Sequence, residues 1–474
     1  MLKMNKLTAL VSAITLALPL SACVGGGNQL PAEPATPTAA QSNPPSAAIA
    51  NAPDTTGFNP ATTYYVTWNT ASSPYEIDDE LGIGAAAPSG WYDYAAGQNK
   101  WANIKTTGGG NDCYWVWIPR YAYQVPAKSR TAETINIKFL QGVTNTPIGE
   151  SEPITNTVPT PGQWVVHPAF TNAGNGGFGE LAGIWVAKFT ASSSSVNVEP
   201  GFGGKAGGAS YLVGLGGGAD TSLQVRSIPN VVMWRGISVN DIFAVIGNMT
   251  GNGNSLEGST GLAPHLIKNT EWGAVAYLSM SKYGKNDRVF KNPYYNNDTD
   301  YSPITGLAGA TPSQSNDGIT SDLYEYNTSE GVNASVSGTV YGIYDMAGGA
   351  WECVAGYLSE LANPLPSYSA LAGADDKYKD KYFGTADSGQ TNYDLNDGKY
   401  GDAVYETSFS GHDYGGSWFS SHAEFAVSSS PVFVRGGHAF YQGDDASVFA
   451  FSNYTGDADT FTSFRPSLVA DQAQ

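Results

Sequence analysis

Cysteine is nearly absent from this chain, with three in 474 residues. Cys23 lies near the N-terminus, Cys113 and Cys353 lie far apart, and none follows Cys353. That count excludes a scaffold stapled by many disulfides. Cys113 and Cys353 could still pair in an oxidising compartment, since sequence separation says nothing about distance. Both sit in strongly apolar surroundings, CYWVW and WECV, so two buried free thiols are an equal expectation. Charge is also sparse, at 14% of residues, and lopsided: 42 Asp and Glu against 23 Lys and Arg, a net charge of −19. This balance argues against nucleic acid as a partner and against electrostatic adhesion to anionic lipid. The sequence has no G-x-S-x-G elbow, no H-E-x-x-H and no phosphate-cradling G-x-x-x-x-G-K. It also shows no repeat period of the solenoid or propeller kind.

What the chain does have is aromatic residues, at 12%, and 57 glycines. Together they predict many short strands and turns around an aromatic core. CYWVWIPRYAY (Cys113 to Tyr123) reads as an early core strand, as do Ile135 to Leu140 and Ile184 to Phe189. Ser192 to Gly218 is rich in Gly and Ser and reads as an inserted loop. Ser238 is placed to cap a helix with Val239, Ile242, Phe243, Val245 and Ile246 on one face. Thr270 to Leu278 predicts a second, shorter helix. Lys282 to Val340 reads as long surface loops. Short apolar strands follow, including Val432 to Val434 and Val448 to Phe451.

The N-terminus carries a sorting signal. Lys3 and Lys6 precede the apolar stretch Leu7 to Leu20, which is too short for a stable membrane span and suits a signal-peptide core. Leu20-Ser21-Ala22-Cys23 resembles the bacterial lipobox. The resemblance implies a signal peptide over 1–22, cleavage before Cys23 and lipid on that cysteine. Multiple acyl chains anchor stably where one does not. Residues 23–56 have the composition of a flexible stalk, leaving 57–474 as the folded domain. Val24, standing where Asp would retain a lipoprotein at an inner membrane, points to the outer membrane or cell surface. The membrane partner is reached through this lipid anchor.

Several segments, in order, resemble the formylglycine-generating-enzyme or sulfatase-modifying-factor family. Tyr341-Gly342-Ile343-Tyr344-Asp345-Met346-Ala347-Gly348-Gly349-Ala350-Trp351-Glu352 is similar to its core motif G-v-y-D-M-x-G-N-v-W-E, with Gly349 in the place of Asn. Val434-Arg435-Gly436-Gly437 is similar to its R-G-G strand, and Ser463-Phe464-Arg465 to its terminal G-F-R. The blocks WIPRYAY, VVHPAF, GIWVAKF and HLIKNTEWGAVAYLS resemble a subgroup found in phage-tail-like and bacterial surface proteins. The likeness covers roughly Tyr114 to Val469. It implies an α+β, C-type-lectin-like fold of short strands, two main helices and long loops. The family's enzymes use a C-terminal cysteine pair that binds copper, and no cysteine lies between Gly437 and Phe464. The expectation is therefore a protein without catalysis and without a cofactor. Structural calcium is the one candidate ion, with loop acids such as Asp394 and Asp397 able to hold it. His422-Ala423-Glu424 with His438 has facial-triad spacing, a short pattern that chance supplies easily. Arg435 and Arg465 read first as structural ion-pair or capping residues. Asp345, between apolar neighbours, needs backbone donors or a cation if buried.

The C-terminal segment His438 to Thr462 is rich in Tyr, Phe, Asn, Asp, Ser and Thr, the residue types of recognition surfaces. It resembles the variable region of proteins diversified by retroelements, which mutate adenines on a C-type-lectin-like scaffold. Mutating an AAC codon never reaches Lys, Glu, Gln, Met or Trp. Between Phe425 and Phe464 there is one Gln and none of the other four. The resemblance implies framework positions at Val448, Phe449, Phe451, Gly456, Ala458, Ser463 and Phe464. It implies ligand-facing positions at His438, Phe440, Tyr441, Asp444, Asp445, Asn453, Tyr454, Asp457, Asp459, Thr460, Phe461 and Thr462. The function expected is a surface-displayed binder of a protein or glycan. An oxygen-dependent oxidoreductase, such as a sulfatase-maturation enzyme, and a structural adhesin are the alternatives.

Overall fold

A computed structural model describes residues 49–194, 222–294, 303–314, 323–439 and 444–471. Cys23, the expected signal segment, most of the expected stalk, the Gly-rich residues 195–221, and Phe440 and Tyr441 lie outside the described residues.

The described chain is mixed α+β, with mostly short strands, few helices and no closed barrel among the described residues. Two seven-stranded sheets organise it. The first is antiparallel throughout, in the spatial order Leu262–Leu266, Pro466–Ala470, Gly183–Ala187, Asn111–Pro119, Asn103–Gly108, Thr63–Asn69, Glu76–Gly82. The second is mixed. It runs Asp380–Tyr382, Trp351–Leu358, Val432–Arg435, Phe451–Tyr454, Ser421–Glu424, His412–Ser417, with Thr462–Phe464 also parallel to Trp351–Leu358. Between Thr462–Phe464 of one sheet and Pro466–Ala470 of the other stands a single residue, Arg465.

That residue joins the sheets. Its guanidinium donates to both carboxylate oxygens of Glu352 at 3.0 and 2.6 Å, to Ala187 O at 2.7 Å and to Tyr344 O at 2.7 Å. Both side chains are fully buried. A bidentate geometry with backbone acceptors on the remaining donors is what offsets the desolvation of such a pair. Arg435 is buried similarly, on Asn269 Oδ1 and the carbonyls of Asp402, Ala403 and Ala450. The structural reading of both arginines holds.

The Asn269–Ser279 helix is buried over all eleven residues, so it has no solvent face and needs no apolar stripe. Glu271 accepts the Lys268 amide at 3.0 Å, tying down the helix start. At Gly273 a Cβ would stand 2.0 Å from Gly401 O, so only glycine permits this close approach. The Val239–Gly247 helix begins as expected, with Ser238 Oγ accepting the Asp241 amide at 3.2 Å. Trp101, Trp115, Trp185, Trp234, Trp272 and Trp418 fill the core, each contributing roughly 1.5–3 kcal/mol or more by burial.

Some sequence-based elements need correction. The apolar run from Cys113 to Tyr123 is two strands, Asn111–Pro119 and Tyr121–Gln124, in different sheets. Arg120 divides them because its buried guanidinium turns aside to Glu180 at 2.7 Å, Asn145 and the Thr144 carbonyl. Val448 to Ala450 is buried without strand pairing, and the strand proper runs Phe451–Tyr454. The loop region 282–340 contains a two-stranded pair, Leu307–Gly309 with Leu323–Glu325. Residues before the expected stalk boundary at 56 already contact the fold. Asn51 holds Gly142 and Ala182 while accepting from Trp117 Nε1, and Asp54 O accepts from Trp185 Nε1. Residues 49–56 lack large apolar side chains apart from Ile49, yet their backbone carbonyls accept from two buried tryptophans. No helix among the described residues is long and apolar enough to cross a membrane.

Candidate functional site

The segment Tyr341 to Glu352 is built around a buried turn. Asp345 has φ +63° and is buried. Its carboxylate accepts from Asn292 Nδ2 at 2.9 Å and from the Gly306 amide at 2.8 Å. Burial lifts its pKa to about 6, against the pull of Arg465 and these donors. Gly348 and Gly349 follow with φ +79° and +70°. A Cβ at Gly349 would stand 2.5 Å from Met233 Cε, so a side chain there would need the end of Met233 to shift as well as a positive φ, which glycine adopts freely. The turn delivers Trp351 to the first position of its strand.

Among the described residues, five rings are linked in succession through Trp351. Trp351 meets His422 at 5.8 Å, and His422 meets Tyr414 at 4.8 Å. Trp351 also meets His438 at 6.3 Å, with Phe461 stacked on that imidazole at 5.2 Å and 29°. The rings come from five separate segments, and the two ends are exposed: Tyr414 by 72% and Phe461 by 39%. Three of these contacts are edge-to-face and one is stacked, the arrangements that favour aromatic pairs at about 4.5–7 Å.

Ionisable groups border this ledge. His422 Nε2 lies 3.4 Å from Glu424 Oε2, and His412 Nδ1 3.7 Å from Oε1. The His422 hydrogen bond lowers the Glu424 pKa. Arg288 pairs with Asp444 and donates to the carbonyls of Asp444 and Ala446. Burial, with Arg288 adding repulsion, brings Lys291 down to about 8. Burial, then Lys291 and His422, brings His438 down to about 4, so its imidazole is neutral near pH 7. Burial raises Asp445. Among the described residues no three His, Cys, Asp or Glu side chains converge as a metal site, so His422, Glu424 and His438 do not assemble the triad their spacing suggested.

The expected ligand-facing residues divide. His438, Asp444, Asp445 and Phe461 gather at the ledge. Asp457 is exposed on the neighbouring loop. Asp459 and Thr460 are partly buried, and their carbonyls are held by the Gly236 amide at 2.8 Å and Arg235 at 2.9 Å. Asn453 and Tyr454 lie within a strand, half-buried, with the Tyr454 phenol pushed well up by burial. Thr462 is a correction: it is buried in a strand opposite Trp351, because pairing with Trp351–Leu358 turns it inward. The framework positions are buried, apart from half-exposed Ala458. Sequence reasoning missed Trp351, His422 and Tyr414 as site residues. In the sequence Trp351 stands only within the motif Tyr341 to Glu352, and His422 only within the H-x-E spacing. The ring-rich strands that carry them held the signal. Cys113 and Cys353 are both free and buried, with burial pushing Cys113 up to about 12 and Cys353 well above its ordinary range.

Scanned against family models the chain matches none, and a search of curated proteins returns no match.

Proposed function

We propose that this chain is a display protein: a lipoprotein, anchored at Cys23 on the outer membrane or cell surface, that binds a macromolecular ligand without chemistry. In this reading the α+β domain is a C-type-lectin-like fold of the formylglycine-generating-enzyme type, with its diversified segment at 438–462. The observation that carries the proposal is the ledge Tyr414–His422–Trp351–His438–Phe461. Core positions such as Trp351 hold its middle rigid while its ends face solvent, and rigid aromatics supply contact area at low entropic cost. Two of its five rings fall within the segment whose composition suggested recognition.

The test pairs a glycan array and a phage-displayed peptide library against the mature chain. Binders are expected to weaken about tenfold or more, some 1.4 kcal/mol, with Tyr414→Ala or Phe461→Ala, the former at unchanged thermal midpoint. Binders indifferent to both substitutions would refute the ledge as the recognition face. Cys23→Ala is expected to move the protein from the membrane to the soluble fraction.

A further inference from the structure

Resting on that reading of the ledge, we infer that its ligand is a cationic polypeptide segment, one presenting Arg or Lys side chains to the exposed rings. Tyr414 and Phe461 are the solvent-exposed rings of the ledge, and Phe461 is stacked on His438; aromatic rings at a surface attract guanidinium and ammonium groups. What decides the sign of the ligand is which charges reach solvent. Of the Arg288–Asp444 pair, the Asp444 side chain is 51% exposed and Arg288 only 11%. Lys291 is fully buried. Asp457 is exposed and Glu424 partly so, while Asp445, next to Asp444 in the chain, is half-buried. The cations therefore sit beneath the surface, where they hold the loop, and carboxylates form what an approaching partner meets. His438 is neutral near pH 7, so it adds no repulsion to a cation. The chain's net charge of −19 steers the same class of partner from a distance.

An anionic or purely neutral ligand fits this surface less well. A neutral glycan would use the rings but gain nothing from the exposed carboxylates. An acidic ligand would have to displace Asp444 from Arg288, because Lys291 is not accessible.

The experiment uses the mature chain with oligo-arginine, oligo-lysine and oligo-glutamate peptides and a panel of neutral glycans as probes. The cationic peptides are expected to bind and to weaken steeply as salt rises from about 0.05 M to about 0.5 M. The double variant Asp444→Lys/Asp457→Lys is expected to weaken them by about tenfold or more, as is Phe461→Ala. Failure of the cationic peptides to bind overturns the inference. If oligo-glutamate or neutral glycans bind instead and Phe461→Ala or Tyr414→Ala abolishes it, the ligand class is wrong while the recognition face stands. If bound probes ignore the ring substitutions altogether, the face itself falls.

Discussion

Glu406 is a single residue whose environment sets a measurable property of the whole chain. It is buried and accepts hydroxyl protons from Tyr123 and Tyr277 at 2.7 and 2.6 Å, together with the Gly401 amide. Burial lifts its pKa from 4.5 to about 7, and the three donors moderate the rise. The folded chain thus holds this proton longer than the unfolded chain does. Its contribution to stability is full below about 4.5 and is lost as pH rises through about 7. The difference across that window is about 3 kcal/mol. Asp345, lifted from 3.8 to about 6 by burial, contributes in the same direction. Urea denaturation at a series of pH values is expected to show stability falling between pH 4.5 and 7, with Glu406→Gln flattening much of that slope. A slope unchanged by the substitution would place the proton elsewhere. None of this was legible in the sequence, where Glu406 is an acid in an unremarked polar stretch. Three donors from distant segments make it a buried acid.

At the scale of elements, the Asn269–Ser279 helix illustrates how far local pattern reaches. Its existence and bounds were readable to within a residue at each end. Its complete burial was not, because Thr270, Glu271 and Asn269 give it a polar start that reads as solvent-facing. The buried polar groups are satisfied only by tertiary partners: Asp380 accepts the Thr270 amide at 2.8 Å, and Glu271 meets His265 Nε2 at 2.9 Å. Gly273 belongs to the same lesson. In sequence it is a helix weakness, while in the fold it lets the Gly401 backbone press against the helix. Gly273→Ala improves intrinsic helix propensity but forces two backbones apart. It is expected to lower stability by about 1–3 kcal/mol, read as a reduced urea midpoint at constant slope. A rise in stability would mean the contact is not close.

For the whole molecule, the junction at Arg465 is decisive. One residue passes the chain from the second sheet to the first while its guanidinium holds Glu352, Ala187 and Tyr344. Arg465→Ala leaves the Glu352 carboxylate buried and unpaired, and is expected to destabilise by about 3–5 kcal/mol. Replacing Arg465 and Glu352 together by apolar residues should cost less than either single loss adds up to, a coupling that a double-mutant cycle measures. Additive losses would show that the pair acts only as two separate backbone ligands. The same junction separates two duties. The first sheet receives the entering chain through Asn51 and Asp54, and the second carries the ring ledge. The Tyr414 ring is exposed, and its substitution should leave stability nearly unchanged, within about 0.5 kcal/mol, whereas Phe461→Ala should also lose the His438 stack, about 0.5–1.5 kcal/mol.

The amino-acid sequence by itself determined the many short strands, the two main helices, the aromatic core and the structural duty of Arg435 and Arg465. Those features follow from residue type and periodicity, which act locally. It also marked His438 and Phe461 as recognition candidates. Only the tertiary structure decided that Thr462 turns inward and that Trp351, His422 and Tyr414 complete the ledge. It also decided that Arg288 and Lys291 lie beneath the carboxylates they balance. Strand register and depth of burial set these outcomes, and both are fixed by which distant segments meet.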